Sequence, residues 1–393
     1  MSILLGFLAI IVVLGFAFLL SNDKKNINFK GIGIMLVSQF LITWFMFSTE
    51  IGQKIINGIS AVFNKLIEFG TMGIDFVVDG IEGEGVFFFD VLLLIIFFAT
   101  ILSVLTYLKI LPTIIKFIGS AISKITGLPK VESFNAVNSI FFGQSEALLA
   151  IKSQFSHLNN NRLYIVSASA MGSVSASIVG AYLQILPPTF VLVALPLNMF
   201  SALIVASVIA PVRVSKEEDQ VDVQEVSTDK SIFEAMGNGA LDGGRIALIV
   251  AAMLVAFIAS LELVNWLIQL IFAGVTLQQI LGYILAPLGV LMGIAPSEVI
   301  EASGIMGTKI VTNEFVAMLE FEQILDTMSW KTVGIVSVFL TSFANFSSIG
   351  IIAGTVQGID REKAVSVSGF GMKLLIGATL ASVLSATIVG IFL

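Results

Sequence analysis

The feature that most constrains the fold is a series of long runs of apolar side chains. The first run, from Ile3 to Leu20, contains no charged residue. A core helix of a soluble protein rarely has an apolar run longer than about 14 residues, whereas a helix that crosses a bilayer needs about 20. Because 57% of the residues are hydrophobic and only 12% are charged, too little polar surface is left to cover a soluble globule. The sequence therefore predicts an all-α polytopic membrane protein embedded in a lipid bilayer.

Eight segments are long and apolar enough to be transmembrane helices. They lie near 2–21, 31–48, 86–107, 162–183, 189–211, 244–273, 332–356 and 369–393. We interpret the first as a retained span rather than a signal peptide, because it has no basic flank and no cleavage pattern of small residues. Three amphipathic stretches, near 51–70, 109–125 and 231–241, predict interfacial helices that lie along the bilayer surface.

The distribution of basic residues predicts the orientation in the membrane. If the N-terminus is outside, the predicted spans leave only four of the 20 Lys and Arg residues outside: Lys54, Lys65, Lys309 and Lys331. An excess of basic residues on the cytoplasmic side is typical of plasma membrane proteins. We therefore expect a multi-pass protein of the plasma (inner) membrane with both termini outside. The net charge of −7, without a long run of like charges, gives no support for a nucleic-acid partner.

Two other segments, 128–158 and 284–326, are apolar at both ends and polar in the middle, which predicts two re-entrant hairpins. The first has Gly143-Gln144-Ser145-Glu146 at its centre, and the second has Thr312-Asn313-Glu314-Phe315. A carboxylate at the centre of a membrane costs about 2.5 to 3.5 kcal/mol on insertion scales, so such residues indicate a functional site. The alternative is that each glutamate only pairs with a lysine or caps a helix.

Each predicted hairpin is followed by a span rich in small polar residues, at 167–177 and at 341–350. Small residues permit close helix packing, but Asn345 between serines exceeds what packing requires. Hydroxyl groups also allow a helix to unwind inside the membrane. Because hairpin, broken span and plain span occur twice with opposite entry sides, the sequence predicts an inverted repeat, which is typical of secondary transporters.

Three stretches resemble the signature motifs of the concentrative nucleoside transporters, and the chain looks most similar to their bacterial branch, the nucleoside permeases. These stretches are Gly143-Gln144-Ser145-Glu146-Ala147, Asn313-Glu314-Phe315-Val316-Ala317 and Phe343-Ala344-Asn345-Phe346-Ser347-Ser348-Ile349. The resemblance implies cation-driven nucleoside symport by a homotrimer. It also implies a scaffold domain (1–108 and 231–275) and a mobile transport domain, with a first repeat at 109–212 and a second at 276–393.

The same resemblance implies the roles of the site residues. The nucleobase is expected against Gln144, Ser145 and Glu146, with Ile178 and Phe343 as apolar walls. The ribose hydroxyls are expected at Glu314, Asn345 and Ser348. These residue types fit a nucleoside. A carboxylate accepts hydrogen bonds from two ribose hydroxyls, and an amide both donates to and accepts from the edge of a nucleobase.

The resemblance also implies a sodium site formed by Ser139, Phe142, Ser173 and Val174. The family's asparagine ligand is replaced here by Ser139, and Asn138 lies one position away. Because a serine hydroxyl is shorter and a weaker ligand than an amide carbonyl, we favour H+ slightly over Na+ as the coupling cation. Glu146 and Glu314 are the expected proton carriers, since a low dielectric favours the protonated carboxyl.

Two other functions are considered. An uncoupled facilitator or channel for another small polar solute would use the same cavity. An intramembrane enzyme would use Glu146 and Glu314 as acid and base, but no metal-binding or nucleophile motif accompanies them, and no other cofactor is expected. Four further charges have no assigned role: Asp90, Glu298, Glu301 and Lys309, of which Lys309 is a candidate partner for Glu301 or Glu298.

Overall fold

The computed structural model describes residues 2–78, 86–214, 219 and 229–393, and within these ranges all regular structure is helical. The helices of the first half are α1 (Ser2–Leu19), α2 (Phe29–Ser48), α3 (Glu50–Val78), α4 (Leu94–Tyr107), α5 (Ile110–Thr126), α6 (Lys130–Ala150), α7 (Asn160–Met171), α8 (Ala176–Ile185) and α9 (Pro188–Ile209). Those of the second half are α10 (Ile232–Gln269), α11 (Leu277–Met292), α12 (Val299–Val311), α13 (Glu314–Glu322), α14 (Trp330–Leu340), α15 (Phe346–Ile359), α16 (Arg361–Gly369) and α17 (Gly371–Phe392). The all-helical fold predicted from the sequence is confirmed.

Six helical segments of the described chain are long and apolar enough to cross a membrane. They are Phe29–Ser48, Phe88–Tyr107, Asn160–Ile185, Pro188–Ile209, Ile232–Gln269 and Gly371–Phe392, and they overlap six of the eight predicted spans. The predicted span 2–21 corresponds to the shorter helix α1. The predicted span 332–356 is divided between α14 and α15, because residues 341–345 between them are not helical.

The structure differs from the sequence prediction at 231–241. These residues do not form a separate interfacial helix but the first turns of α10, which continues without interruption for 38 residues. Glycines lower the local hydropathy there, and they also permit close packing. A Cβ on Gly239 would lie 2.9 Å from the Cα of Thr100 in α4, and one on Gly243, in the next turn, would lie 2.6 Å from the Cα of Ile96. The glycines therefore mark a helix contact rather than the end of a span.

A second difference concerns the start of the predicted hairpin at 284–326. The first part of this segment belongs to α11, which ends at Gly293 in a left-handed conformation with φ of 95°. Glycine adopts such angles without steric cost, and it commonly ends helices. The unit with the polar centre is therefore shorter than the predicted segment 284–326, and it consists of α12 and α13.

Both polar clusters lie where a helix is interrupted. In α6 the backbone leaves helical geometry at Gly143, with φ of 81° and ψ of −175°, a region that is essentially restricted to glycine. In the second unit α12 ends at Val311, Thr312 and Asn313 are non-helical, and α13 begins at Glu314. We call α6 the first helix–break–helix unit and α12 with α13 the second.

The two serine-rich spans are also interrupted, as predicted. Residues 172–175 separate α7 from α8, and residues 341–345 separate α14 from α15. The Phe343 N–H donates a hydrogen bond of 3.0 Å to the Ser173 carbonyl, so the two non-helical segments contact each other. The interrupted helix α7–α8 and helices α9 and α17 are mostly buried, whereas α2 and α10 are mostly exposed. The interruptions therefore lie inside the bundle.

Candidate functional site

A cavity of about 210 Å³ lies where the helix interruptions meet. Its walls include all eight residues that the sequence analysis assigned to the substrate: Gln144, Ser145, Glu146, Ile178, Glu314, Phe343, Asn345 and Ser348. They come from four separate stretches of the chain, which only the tertiary fold brings together. We call this space the inner cavity.

The Glu314 carboxylate is held at both oxygens. Its Oε1 accepts a hydrogen bond from the Tyr182 hydroxyl at 3.0 Å, and its Oε2 accepts one from Asn345 Nδ2 at 2.9 Å. Glu314 is also the first residue of α13, where the partial positive charge of a helix N-terminus favours a carboxylate. Each carboxylate oxygen can accept a further hydrogen bond, so the group remains able to bind hydroxyl donors.

Tyr182 is a site residue that the sequence analysis missed. Its side chain is fully buried, and its ring packs edge-on against Phe315 with the ring centres 5.0 Å apart. Tyr182 lies four residues after Ile178 on α8, so the two share one face of the helix. That spacing was the available signal, because it places a hydroxyl beside a predicted wall of the site.

Asn345 connects the carboxylate to the start of a helix. Its Oδ1 accepts hydrogen bonds from the Ser348 N–H at 2.9 Å and the Ser347 hydroxyl at 2.7 Å, which makes it the N-cap of α15. Its Nδ2 is therefore the atom directed at Glu314. The same side chain thus fixes the position of α15 and the orientation of the Glu314 carboxylate.

Two polar atoms of residues in the cavity wall are buried and have no hydrogen-bond partner among the described residues. They are Gln144 Oε1 and Ser348 Oγ. A buried polar atom without a partner costs about 1 to 3 kcal/mol, and native structures have few of them. Since both residues line the inner cavity, these atoms can accept hydrogen bonds from a polar solute.

A wider cavity of about 760 Å³ adjoins the inner one. The two share Phe142, Glu146, Ser175, Ile246 and Ile249 in their walls. The wider cavity also has charged side chains, namely Lys152, Asp229, Asp242 and Arg245. Glu146 is exposed at this boundary. We call the wider space the vestibule, since it adjoins the inner cavity and shares part of its wall.

Two of the predicted cation ligands lie together. The Ser173 hydroxyl is 3.2 Å from the Ser139 carbonyl and 3.1 Å from the Ala170 carbonyl. The Ser139 hydroxyl, however, donates to the Asn135 carbonyl at 2.7 Å. Phe142 borders the two cavities, and Val174 is buried beside Ser173. Hard cations prefer oxygen ligands, and these residues offer hydroxyl and carbonyl oxygens, so the residue types fit a hard cation such as sodium.

Asn138 is the other notable residue near this position. It is fully buried, and neither polar atom of its side chain has a partner among the described residues. An amide carbonyl is a better ligand for a hard cation than a hydroxyl. The family resemblance implies an asparagine ligand one position later, where this chain has Ser139, so the structure places an amide without a partner next to the expected ligand position.

The unassigned charges have distinct environments. Glu298 accepts hydrogen bonds from the Ser329 N–H at 3.0 Å and the Ser329 hydroxyl at 2.8 Å, and Glu301 is exposed. Asp90 is exposed on a short π-helical turn. The suggested pairing of Lys309 with Glu301 or Glu298 is wrong, because the Lys309 ammonium donates instead to the Phe339 carbonyl at 2.5 Å.

Comparisons with known proteins identify the family. Family models described as Na+ dependent nucleoside transporter N-terminus and C-terminus match residues 8–81 and 190–390, and one described as Nucleoside recognition matches residues 88–189. The purine nucleoside transport protein NupG of Bacillus subtilis is 38% identical over 395 residues, which cover 100% of both chains. The nucleoside permease NupC of Helicobacter pylori is 31% identical, over 96% of this chain and 94% of that protein.

A solved structure supports the same assignment. CNTnw in an inward-facing substrate-bound state has a TM-score of 0.94 and 30% sequence identity, with 100% of this chain and 99% of that chain covered. The family models, the relatives and the solved structure agree on transporters. The chain therefore belongs to the concentrative nucleoside transporter family, in its bacterial branch, and is a transporter rather than an enzyme.

Proposed function

We propose that this chain imports nucleosides by symport with a cation and that the inner cavity is the nucleoside site. The observation that carries the proposal is the convergence of all eight predicted residues on one cavity, with the Glu314 carboxylate fixed by Tyr182 and Asn345. A pre-positioned carboxylate next to apolar walls suits a solute that has both hydroxyl groups and a flat ring.

In this proposal the ribose hydroxyls bind Glu314, Asn345 and Ser348, which all line the inner cavity. The nucleobase binds Gln144, Ser145 and Glu146 at the break of the first unit. Ile178 and Phe343 enclose it, and both are at least nine-tenths buried. Purine nucleosides are the first substrates to test, because NupG is described as a purine nucleoside transport protein.

We favour the proton as the coupling ion, with Glu146 or Glu314 as its carrier. The Ser139 hydroxyl donates to the Asn135 carbonyl of its own helix. A serine also lacks the amide carbonyl oxygen with which the family's asparagine would bind a sodium ion. Glu146 faces the vestibule and can exchange protons with water, while Glu314 contacts the proposed ribose subsite. Either position links protonation to substrate binding.

Sodium is the second candidate ion. It is favoured by the carbonyls of Ser139 and Ala170, which approach the Ser173 hydroxyl within 3.2 and 3.1 Å. With the Asn138 amide nearby, these groups offer the oxygen ligands that a hard monovalent cation uses.

The membrane arrangement is part of the proposal. We propose that the two helix–break–helix units are re-entrant hairpins of an inverted repeat, in a homotrimer with both termini outside. The basic residues Lys152 and Arg245, assigned to the cytoplasm by the positive-inside rule, line the vestibule. The vestibule therefore opens toward the cytoplasm, and the conformation is inward-facing.

The test is uptake of radiolabelled inosine and uridine into proteoliposomes under an imposed proton gradient or an imposed sodium gradient. Accumulation above equilibrium under one gradient supports symport and identifies the ion. Equilibration without accumulation supports the alternative, an uncoupled facilitator or channel. We expect Glu314→Gln to abolish accumulation, whereas Glu301→Gln, a matched change of an exposed glutamate, leaves it intact.

A further inference from the structure

Lys309 is a fully buried lysine with an unusual set of partners. Its ammonium donates to the Phe339 carbonyl at 2.5 Å, the Ser342 hydroxyl at 2.6 Å and the Ser382 hydroxyl at 3.5 Å. It also lies 4.4 Å from the centre of the Phe339 ring. Among the described residues it forms no ion pair with a carboxylate. The Glu314 carboxylate interacts with the ammonium electrostatically, but from beyond ion-pair distance. A buried cation whose direct ligands are neutral oxygens resembles a bound ion more than a structural salt bridge.

The position of Lys309 in the second repeat matches that of Ser139 in the first. Ser139 lies four residues before Gly143, the non-helical residue of the first unit, and Lys309 lies four residues before Asn313, which directly precedes α13. Likewise, Ser173 lies two residues after the end of α7, and Ser342 lies two residues after the end of α14.

The contacts at these positions also correspond. In the first repeat, the Ser173 hydroxyl contacts the carbonyls of Ser139 and Ala170. In the second, the Lys309 ammonium contacts the Ser342 hydroxyl and the Phe339 carbonyl. Ala170 and Phe339 are each the penultimate residue of a half-helix. The partial negative charge at the C-terminal end of a half-helix favours a cation.

We propose that the Lys309 ammonium is a resident cation that fills, in the second repeat, the counterpart of the candidate cation site of the first repeat. Because the ammonium is covalently attached, the second repeat has no exchangeable cation site, and transport couples one cation to each nucleoside. The ammonium also holds residues 341–345, the segment that presents Phe343 and Asn345 to the inner cavity. This inference rests on the proposed cation symport.

The experiment compares nucleoside binding and transport by the full-length wild type, Lys309→Ala and Lys331→Ala. Lys331 is the matched control, because it lies in the same repeat and its ammonium also donates to a backbone carbonyl, that of Gly390. We expect Lys309→Ala to weaken nucleoside binding about tenfold or more, since it leaves the Phe339 carbonyl and two serine hydroxyls without a cation. We expect added methylammonium or a high sodium concentration to restore nucleoside binding by Lys309→Ala. The same additions should leave binding by Lys331→Ala unchanged.

The number of coupled cations is the second readout. We expect nucleoside binding by Lys309→Ala to require one more inorganic cation than binding by the wild type, because such a cation must occupy the vacated position, so the apparent Hill coefficient for added sodium rises by about one. If Lys309→Ala fails to fold, Lys309→Arg and Lys309→Gln are compared instead. The proposal requires Lys309→Arg to keep the wild-type cation dependence and Lys309→Gln to lose it.

Three results would overturn the inference: normal binding by Lys309→Ala, a folded Lys309→Ala protein that no cation restores, or equal cation dependence of Lys309→Arg and Lys309→Gln. Each of these leaves wild-type symport intact. A wild type that shows no dependence on any cation gradient instead contradicts the proposed function, so the two failures are distinguishable.

Discussion

The Tyr182 hydroxyl donates a hydrogen bond of 3.0 Å to Glu314 Oε1, across the boundary between the two proposed repeats. Tyr182 belongs to the interrupted helix of the first repeat, and Glu314 belongs to the helix–break–helix unit of the second. The carboxylate that we assign to the ribose is therefore oriented by a residue from the opposite repeat. In the proposed function, substrate binding and the relative position of the two proposed repeats are thus physically connected.

We expect Tyr182→Phe to raise the nucleoside KM without loss of folding. The substitution keeps the ring and its contact with Phe315 but removes one hydrogen bond to a buried charge, which is worth about 1.5 to 3 kcal/mol. The measurement is concentration-dependent uptake into proteoliposomes. Tyr164→Phe is the control, because the Tyr164 hydroxyl donates at 2.9 Å to the Lys373 carbonyl and does not line the inner cavity. Equal KM values for the two variants would contradict the positioning role.

Asn345→Ala removes an N-cap and a partner of Glu314 in one change. Loss of an N-cap costs about 0.5 to 2 kcal/mol, so the apparent melting temperature should fall. Asn159→Ala removes a comparable cap at α7, where Asn159 Oδ1 accepts from the Arg162 N–H. We expect both variants to lose stability in thermal unfolding, but only Asn345→Ala to lose nucleoside binding as well. If both lost binding to the same extent, the effect would be attributable to folding alone.

Nucleosides that lack a ribose hydroxyl should bind poorly. A site with buried polar groups rejects an analogue that leaves them without a partner, and one such loss costs about 1 to 3 kcal/mol. We expect 2′-deoxy or 3′-deoxy analogues of inosine to compete for uptake about tenfold or more less well than inosine. In a direct binding measurement, which does not depend on transport, the difference should shrink in Glu314→Gln, because the carboxylate that accepts from the hydroxyl is gone. A penalty that is unchanged in this variant would place the ribose elsewhere.

The contact between α4 and α10 depends on the absence of a side chain at Gly243. An added Cβ would lie 2.6 Å from the Cα of Ile96, so Gly243→Ala forces the two helices apart. We expect the variant to lose about 1 to 3 kcal/mol of stability, measured as a lower apparent melting temperature in detergent. Gly244→Ala is the control, because nothing lies within 4 Å of its added Cβ. The packing explanation fails if both variants melt like the wild type.

The sequence alone was sufficient for the fold class, and it predicted eight residues that the structure brings to one cavity. The length of the apolar runs predicted helices, and their polar interruptions at Gly143 and at Asn313 marked the two breaks. The serine-rich stretches marked the interrupted helices, because hydroxyl groups tolerate non-helical backbone inside a membrane. These signals are local, and a local pattern is what a sequence displays directly.

Helix boundaries set by packing were not visible in the sequence. The stretch 231–241 has a low hydropathy and was predicted as a separate interfacial helix, yet it forms the first turns of α10, and its Gly239 packs against α4. Similarly, the start of the second helix–break–helix unit depends on where α11 ends, at Gly293. Hydropathy averages over neighbours in the chain and contains no information about neighbours in space.

The sequence by itself determined that this protein is helical, that it belongs in a membrane and which polar residues lie at helix interruptions, because each of these follows from composition and local pattern. Only the tertiary structure decided the partners of those residues. Tyr182 with Glu314 and Lys309 with Ser342 join residues 132 and 33 positions apart in the chain. Such pairs are selected by the packing of whole helices, since a buried polar group must find its partner wherever the fold provides one.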